Sequence, residues 1–347
     1  GAGTSLLASR EKQIPADGYD LSPLSIFVTN TKLADYDSKA LRKAFSVLQK
    51  HLNPSKWNGA SKEYPDLIKK ALPGKLLGAF DFIWRHIGTM DCSINDKDFL
   101  RLSVLATLPE FSRAVATGGW LEWIERKNTV LGIRKALNNR IENMIADTGE
   151  AQSNAKTDCY AQLADARNLP IESKKYTAVI TSPPYPNRPD YTTVFGVELM
   201  FALQNWKENR QLRYQSFHSH PEAKPNRPDA ADYVQPSILA KSLAKIRKKT
   251  DEPRIPSIIE GYFLDMYHCL KETERVCKRG ARVAFILGNA QYHGVPIPVD
   301  EITAEIGEKV GLKCEKIIVA RHRGNSAQQM GKFGRNPSRE SVVVFRA

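Results

Sequence analysis

Six short strand-like runs, separated by stretches with helical spacing, constrain this chain to an α/β fold with a mainly parallel sheet. They are Pro15 to Leu21, ending in the acid Asp20; Cys159 to Ala164, followed by Asp165; Tyr176 to Thr181, followed by a proline turn; Arg282 to Gly288; Cys314 to Val319; and Ser341 to Arg346. Helices are predicted from the Gly1-Ala2-Gly3 turn to about Arg10, from Ile258 to Cys277, and from Val299 to Val310. Between about Leu33 and Met144 the pattern is largely helical, with Ala40, Leu41, Phe45, Leu48 and Leu52 on one face. This block reads as a helical insertion subdomain, residues 33–150, within a catalytic domain made of residues 1–32 and 151–347. Ligands of such sheets sit beyond the carboxyl ends of the strands. The motifs with chemical meaning in this chain fall at such ends.

The most informative segment is Thr181-Ser182-Pro183-Pro184-Tyr185, directly after a buried strand. Two prolines fix φ and remove two backbone donors, so the carbonyls there are held rigidly. An exocyclic amine conjugated to its ring is a poor nucleophile. Hydrogen bonds from it to the Ser182 Oγ and the Pro183 carbonyl draw its lone pair out of conjugation, and Tyr185 offers a face on which an extruded base can stack. A second segment, Gly1-Ala2-Gly3-Thr4, lets backbone pass close to a ligand at a helix start, where a carboxylate is favoured. Asp20, at the end of the next strand, is placed to accept from ribose hydroxyls. Asp165 ends the strand after that, although an acid opening a loop is also an ordinary turn residue.

These segments resemble the S-adenosylmethionine-dependent amino-methyltransferases of DNA, of the Ser-Pro-Pro-Tyr type. The resemblance covers residues 1–32 and about 155–347. It implies a Rossmann-like class I methyltransferase sheet carrying a helical insertion, with Ser182, Pro183, Pro184 and Tyr185 catalytic. Gly1, Gly3, Thr4, Asp20, Asp165 and Thr181 are then expected around S-adenosylmethionine. Adenine members more often carry Asp or Asn where this chain has Ser182, so cytosine N4 is the expected target and adenine N6 the alternative. Methylation of RNA stays open. A cytosine C5 mechanism is disfavoured, because it needs a cysteine nucleophile at the catalytic turn. One departure stands out. The family's cofactor loop begins with a strand and an acid-Pro-Phe, whereas this chain begins at Gly1, so the first strand is expected to be missing. A second polypeptide supplying it, or a non-catalytic DNA-binding subunit or fragment, are the other readings.

The formal net charge of +13 favours a polyanionic partner, which the resemblance makes double-stranded DNA with a flipped base. From Trp206 to Arg254 there are eleven basic and six acidic residues, and from Lys313 to Arg346 eight and two. Residues 205–255 form a candidate target-recognition segment. Lys248, Lys249, Arg321 and Arg323 are candidate phosphate contacts, and Asn187, Arg188 and Tyr191 candidates for wedging the duplex or lining the base pocket. Asn289 is expected either in that pocket or as a helix cap. His218-x-His220 is the closest approach to metal-ligand spacing and is not read as a metal site. Trp120 and Trp123 are expected in the core. The five scattered cysteines fit a reducing interior, and no leader or membrane-length apolar run is read; with these, the resemblance implies a prokaryotic, nucleoid-associated protein of the cytoplasm.

Overall fold

The computed structural model describes residues 1–57, 59–117, 120–126, 129–150, 157–186, 190–324, 331, 334 and 338–347, apart from the side chains of 149, 150 and 323. The chain divides into two compact units: Gly1–Leu163 with Tyr191–Leu212, and Ala164–Asp190 with Arg213–Ala347.

The first unit opens with α1 (Thr4–Glu11), β1 (Ala16–Asp20) and α2 (Pro23–Leu33), the last started by Pro23 and capped by Ser22. The helical block follows as α3 (Ser38–His51), α4 (Asp66–Ala71), α5 (Lys75–Thr89), α6 (Ile94–Phe111) and α7 (Val130–Glu150). The Asp37 carboxylate caps α3 by accepting from the Lys39 and Ala40 amides at 2.8 and 3.2 Å, and Leu41, Ala44, Phe45 and Leu48 form its buried stripe. In α7 the buried positions recur every four residues, at Ile133, Leu137, Ile141 and Ile145. Strand β4 (Cys159–Leu163) lies parallel to β1, with Asp20 opposite Leu163. The later segment adds α8 (Tyr191–Val194), α9 (Gly196–Glu198), a π-turn over Leu199–Leu203 and the start of α10 (Trp206–Gln215). The Phe201 ring of that turn stacks on Tyr64 at 5.6 Å and meets Trp84 edge-on at 5.7 Å, which fixes the turn in the helical core.

The second unit is built on a mixed sheet in the order β5 (Tyr176–Thr181), β6 (Cys277–Gly288), β10 (Ser338–Arg346), β9 (Lys313–Arg323). Strands β5 and β6 run parallel, while β10 is antiparallel to both its neighbours. Val283, Phe285 and Leu287 alternate inward on β6 and meet Val343 and Phe345 of β10. The layer over them comes from α12 (Arg254–Val276), through Tyr262, Phe263 and Met266, and from α13 (Val299–Lys309), through Ile302 and Ile306. Helix α11 (Ser237–Arg247) and the short hairpin of β7 (Ala290–Tyr292) and β8 (Val295–Ile297) complete the unit.

Strands and helices are thus mixed as expected, but the strands do not form one mainly parallel sheet. Strands β9 and β10 are consecutive in sequence and pair antiparallel, so a return strand takes the place beside β6 that strand–helix alternation would give to a parallel neighbour. The helical block also contains a hairpin, β2 (Ala114–Thr117) with β3 (Trp120–Trp123), which leaves Trp120 71% and Trp123 41% exposed. The expectation of a core position for this pair fails because the two rings sit on strands, not on the buried stripe of a helix. No helix among the described residues is long and apolar enough to cross a membrane.

Glu198 sits between the buried Val197 and Leu199 where the π-turn begins, and burial pushes its carboxyl up to about 7 from 4.5. The folded state therefore holds this proton more tightly than the unfolded chain. Its contribution to stability is full below pH 4.5 and is lost as pH rises through 7, by up to about 3 kcal/mol. Urea titrations from pH 4.5 to 8 should show that fall, and Glu198→Gln should flatten it.

Candidate active site

In the first unit the glycine turn and the acid at the end of β1 come together. Gly3 caps α1 in the left-handed region, φ 75° and ψ 17°, and offers no side-chain cap to the amides of that helix start. A Cβ at Gly3 would lie 2.5 Å from the Thr29 Cγ2, so both backbone and packing require glycine. Helix α2 holds the turn from the other side. The Thr29 hydroxyl donates to the Gly1 carbonyl at 3.3 Å and the Lys32 ammonium to the Ala2 carbonyl at 3.2 Å. The Gly1 nitrogen donates to one Asp20 oxygen, and the Ser22 amide donates to the other at 2.8 Å. Gly1, Gly3, exposed Thr4 and Asp20 therefore form one cluster. Sequence reading found its members but not Thr29, whose methyl sets the space at Gly3.

In the second unit, Thr181 is the last residue of β5, and the Ser182-Pro183-Pro184-Tyr185 turn leaves the strand tip with Ser182 exposed. Two bonds fix the turn. The Tyr292 hydroxyl of β7 donates to the Pro186 carbonyl at 2.6 Å, and the Tyr185 hydroxyl donates to the Glu340 Oε1 at 3.4 Å. Glu340 is buried in β10, opposite Gly288 of β6 on one side and Arg321 of β9 on the other. Its second oxygen accepts from the Arg321 Nε. One carboxylate thus joins Tyr185 to Arg321. The signal for it in sequence is slight: a lone acid opening the valine-rich run Ser341 to Phe345.

Asp165 is held by its near neighbour Arg167, whose Nε donates to it at 2.9 Å and whose second nitrogen donates at 2.7 Å. The Arg167 guanidinium is buried and also pairs with Asp265 of α12 at 3.2 Å. Fully buried Asp265 accepts in addition from the Arg227 Nε at 2.6 Å and from the His218 amide at 2.7 Å. Burial disfavours the Arg167 charge, but Asp165 and Asp265 outweigh it and raise its pKa above the ordinary value. A lone acid on the apolar face of α12 was the available hint. His218 belongs to the same network, its Nδ1 lying 3.0 Å from Arg227, and burial followed by that guanidinium lowers its pKa. The His220 Nε2 bonds the Ser216 hydroxyl at 2.8 Å.

The remaining candidates are spread more widely. Asn289 caps α13, accepting from the Asp300 amide at 3.1 Å, which is the capping alternative for this residue. Lys248 and Lys249 are exposed just beyond α11. Elsewhere in the basic segment Arg213, Arg227, Arg247 and Arg254 are each engaged by a carboxylate, so its formal charge overstates what it can offer to phosphates. Tyr191 stacks on Phe195 at 6.4 Å, the planes 9° apart. Asn187, Arg188 and the side chain of Arg323 lie outside the described residues.

The mixed α/β frame thus carries a glycine turn beside a strand-end acid in the first unit and a Ser-Pro-Pro-Tyr turn at a strand tip in the second. Over its whole length the chain is homologous to type II methyltransferases, which supports a place in the DNA methyltransferase family. It is 26% identical over 399 residues to the type II methyltransferase M.BsoBI of Geobacillus stearothermophilus, spanning 99% of this chain and 78% of the relative. It is 28% identical over 383 residues to the type II methyltransferase M.AvaI of Nostoc sp. (strain PCC 7120), spanning 100% and 79%, and likewise to M.AvaI of Anabaena variabilis. No family model and no solved structure matches.

Replacing Asp265 by alanine leaves the Arg167 and Arg227 charges without their shared partner. The variant should lose about 3 kcal/mol or more of stability in urea titrations, and Asp265→Asn clearly less.

Proposed function

We propose that this chain methylates the exocyclic amine of a base flipped out of duplex DNA, at cytosine N4 in preference to adenine N6, with S-adenosylmethionine as donor. The observation that carries the reading is the proline-stiffened corner at the tip of β5, with Ser182 exposed and Tyr185 bonded to buried Glu340. The full-length likeness to type II methyltransferases supports it. Parallel pairing of β1 with β4 in the first unit and of β5 with β6 in the second is in keeping with a Rossmann-like fold as its frame.

The first-unit cluster fits the cofactor. Gly3 is a position where any side chain would collide with Thr29, the α1 amides beyond it have no side-chain cap, and Asp20 stands beside them. Gly1, Gly3 and Thr4 would hold the methionine carboxylate at the helix start, where the dipole favours an anion. Asp20 would accept from the ribose hydroxyls. Asp165 and Thr181, of the second unit, carry over from the resemblance as cofactor candidates, and Asp165 keeps lone pairs while bonded to Arg167. The bound cofactor supplies an electrophilic methyl group on a sulfonium.

The catalytic corner prepares the amine. The Ser182 Oγ and the Pro183 carbonyl accept its two hydrogens, so the nitrogen turns out of the ring plane and its lone pair becomes available for the new N–C bond. Tyr185 stacks on the ring and fixes its height. Glu340 and Tyr292 hold the corner still, so little reorganisation is left for the transition state. The extra amine proton leaves through the Ser182 hydroxyl to water. Ser182, in place of an acid or amide, favours cytosine.

Incubation with mixed duplex DNA and labelled S-adenosylmethionine, followed by nucleoside mass spectrometry, should yield N4-methylcytosine. N6-methyladenine would transfer the reading to adenine, and C5-methylcytosine would overturn the mechanism. Ser182→Ala should lower the transfer rate roughly 100-fold while DNA affinity stays within twofold of the parent. A chain that binds DNA and transfers no methyl group would instead be a non-catalytic subunit.

A further inference from the structure

The β2–β3 hairpin of the first unit exposes large aromatic side chains that the core does not use. Trp120 is 71% exposed at the turn, and Trp123 is 41% exposed with the Lys70 ammonium 4.1 Å over its ring. Helix α8 packs against β3 and adds the stacked pair Tyr191 and Phe195, both more than 40% exposed. Beside the hairpin is an open cavity of about 460 Å³, lined among the described residues by Lys75, Arg113 and Arg126 and by no carboxylate. Arg113 directly precedes β2 and Arg126 closely follows β3, so the hairpin and the cavity share their framework. Helix α5 begins at this cavity behind Gly74, with no side-chain cap and no acid in its first turn. The Arg126 Nε is buried with no hydrogen-bond partner among the described residues.

Three cations and no carboxylate among the described lining residues of the cavity select a polyanion, and exposed rings stand beside them. They suit a nucleic acid, which presents phosphates to the cations and π-faces or groove walls to the rings. We propose that the β2–β3 hairpin and its basic cavity form a duplex-DNA contact. Lys75, Arg113 and the α5 amides hold backbone phosphate in the cavity, and Trp120 projects against the bases. This rests on the methyltransferase reading for the identity of the polymer, and it gives the helical block a role that the catalytic motifs leave open.

The test uses the full chain, a fluorescent duplex known from the labelled-cofactor assay to be methylated, and anisotropy titrations at stepped salt. Trp120→Ala should weaken binding about tenfold, and Trp120→Phe should restore most of it. The Lys75→Gln/Arg113→Gln pair should flatten the slope of log affinity against log salt by about 2, the loss of two phosphate contacts. Thermal melts identical to the parent exclude misfolding; Trp120 and Lys75 are exposed, so those single variants remain informative if the Arg113 change unfolds the chain. A parent that methylates DNA while all variants keep its affinity and salt slope would overturn the hairpin contact and leave the enzymatic reading intact. A parent that neither binds nor methylates any duplex would bring down both.

Discussion

Burying a guanidinium in a protein interior is tolerable only when carboxylates surround it, and the second unit is organised around that requirement. Arg167 reaches from the loop after Asp165 to Asp265 of α12, and Asp265 in turn engages Arg227 and the His218 amide. These residues come from three separated stretches of chain. Apolar side chains of α12, α13, β6 and β10 share one buried cluster, but apolar contacts alone are indifferent to small slides. The charge chain is directional. It ties the loop carrying Asp165 to the helix that covers the sheet, and it makes any other arrangement leave an ion uncompensated.

The two groups of site residues are made rigid by different means. At the glycine turn rigidity comes from absence of side chain: Gly3 adopts a conformation and a closeness to Thr29 that no other residue tolerates. At the strand tip it comes from covalent restriction, two prolines in succession, with Glu340 bonding Tyr185 and Tyr292 bonding the Pro186 carbonyl. Neither arrangement asks a flexible side chain to order itself when a ligand arrives, which keeps the entropic cost of binding low.

How much of the fold and site was legible in the sequence depends on the range of each interaction. The elements carrying the motifs stand close to where periodicity puts them: β1 ends at Asp20, β5 at Thr181, and α13 begins at Val299. Those signals are local. Strand order is not, since nothing within the last run says that it will lie antiparallel between β6 and β9. Glu340, Asp265 and Arg167 escaped notice for the same reason. A carboxylate announces its role only through its partner. Arg321 lies 19 positions from Glu340 and Arg227 lies 38 from Asp265, while Asp165 and Arg167 look like an ordinary turn. The hairpin at Trp120 was hidden by its brevity, four residues to a strand inside a long helical pattern.

Asn30 belongs to a helix yet acts on a strand. From α2 its amide donates to the Ala161 carbonyl at 2.9 Å and accepts from the Ala161 N–H at 2.8 Å, in the middle of β4. A side chain is here imitating a peptide unit of an adjacent strand. Ala161 is buried with Leu6 and Leu33, whereas its neighbours Tyr160 and Gln162 face outward. Because facing alternates residue by residue along a strand, displacement by a single place would bring glutamine into that small apolar cluster. The helix therefore reads the phase of the strand, and one amide is enough to set it.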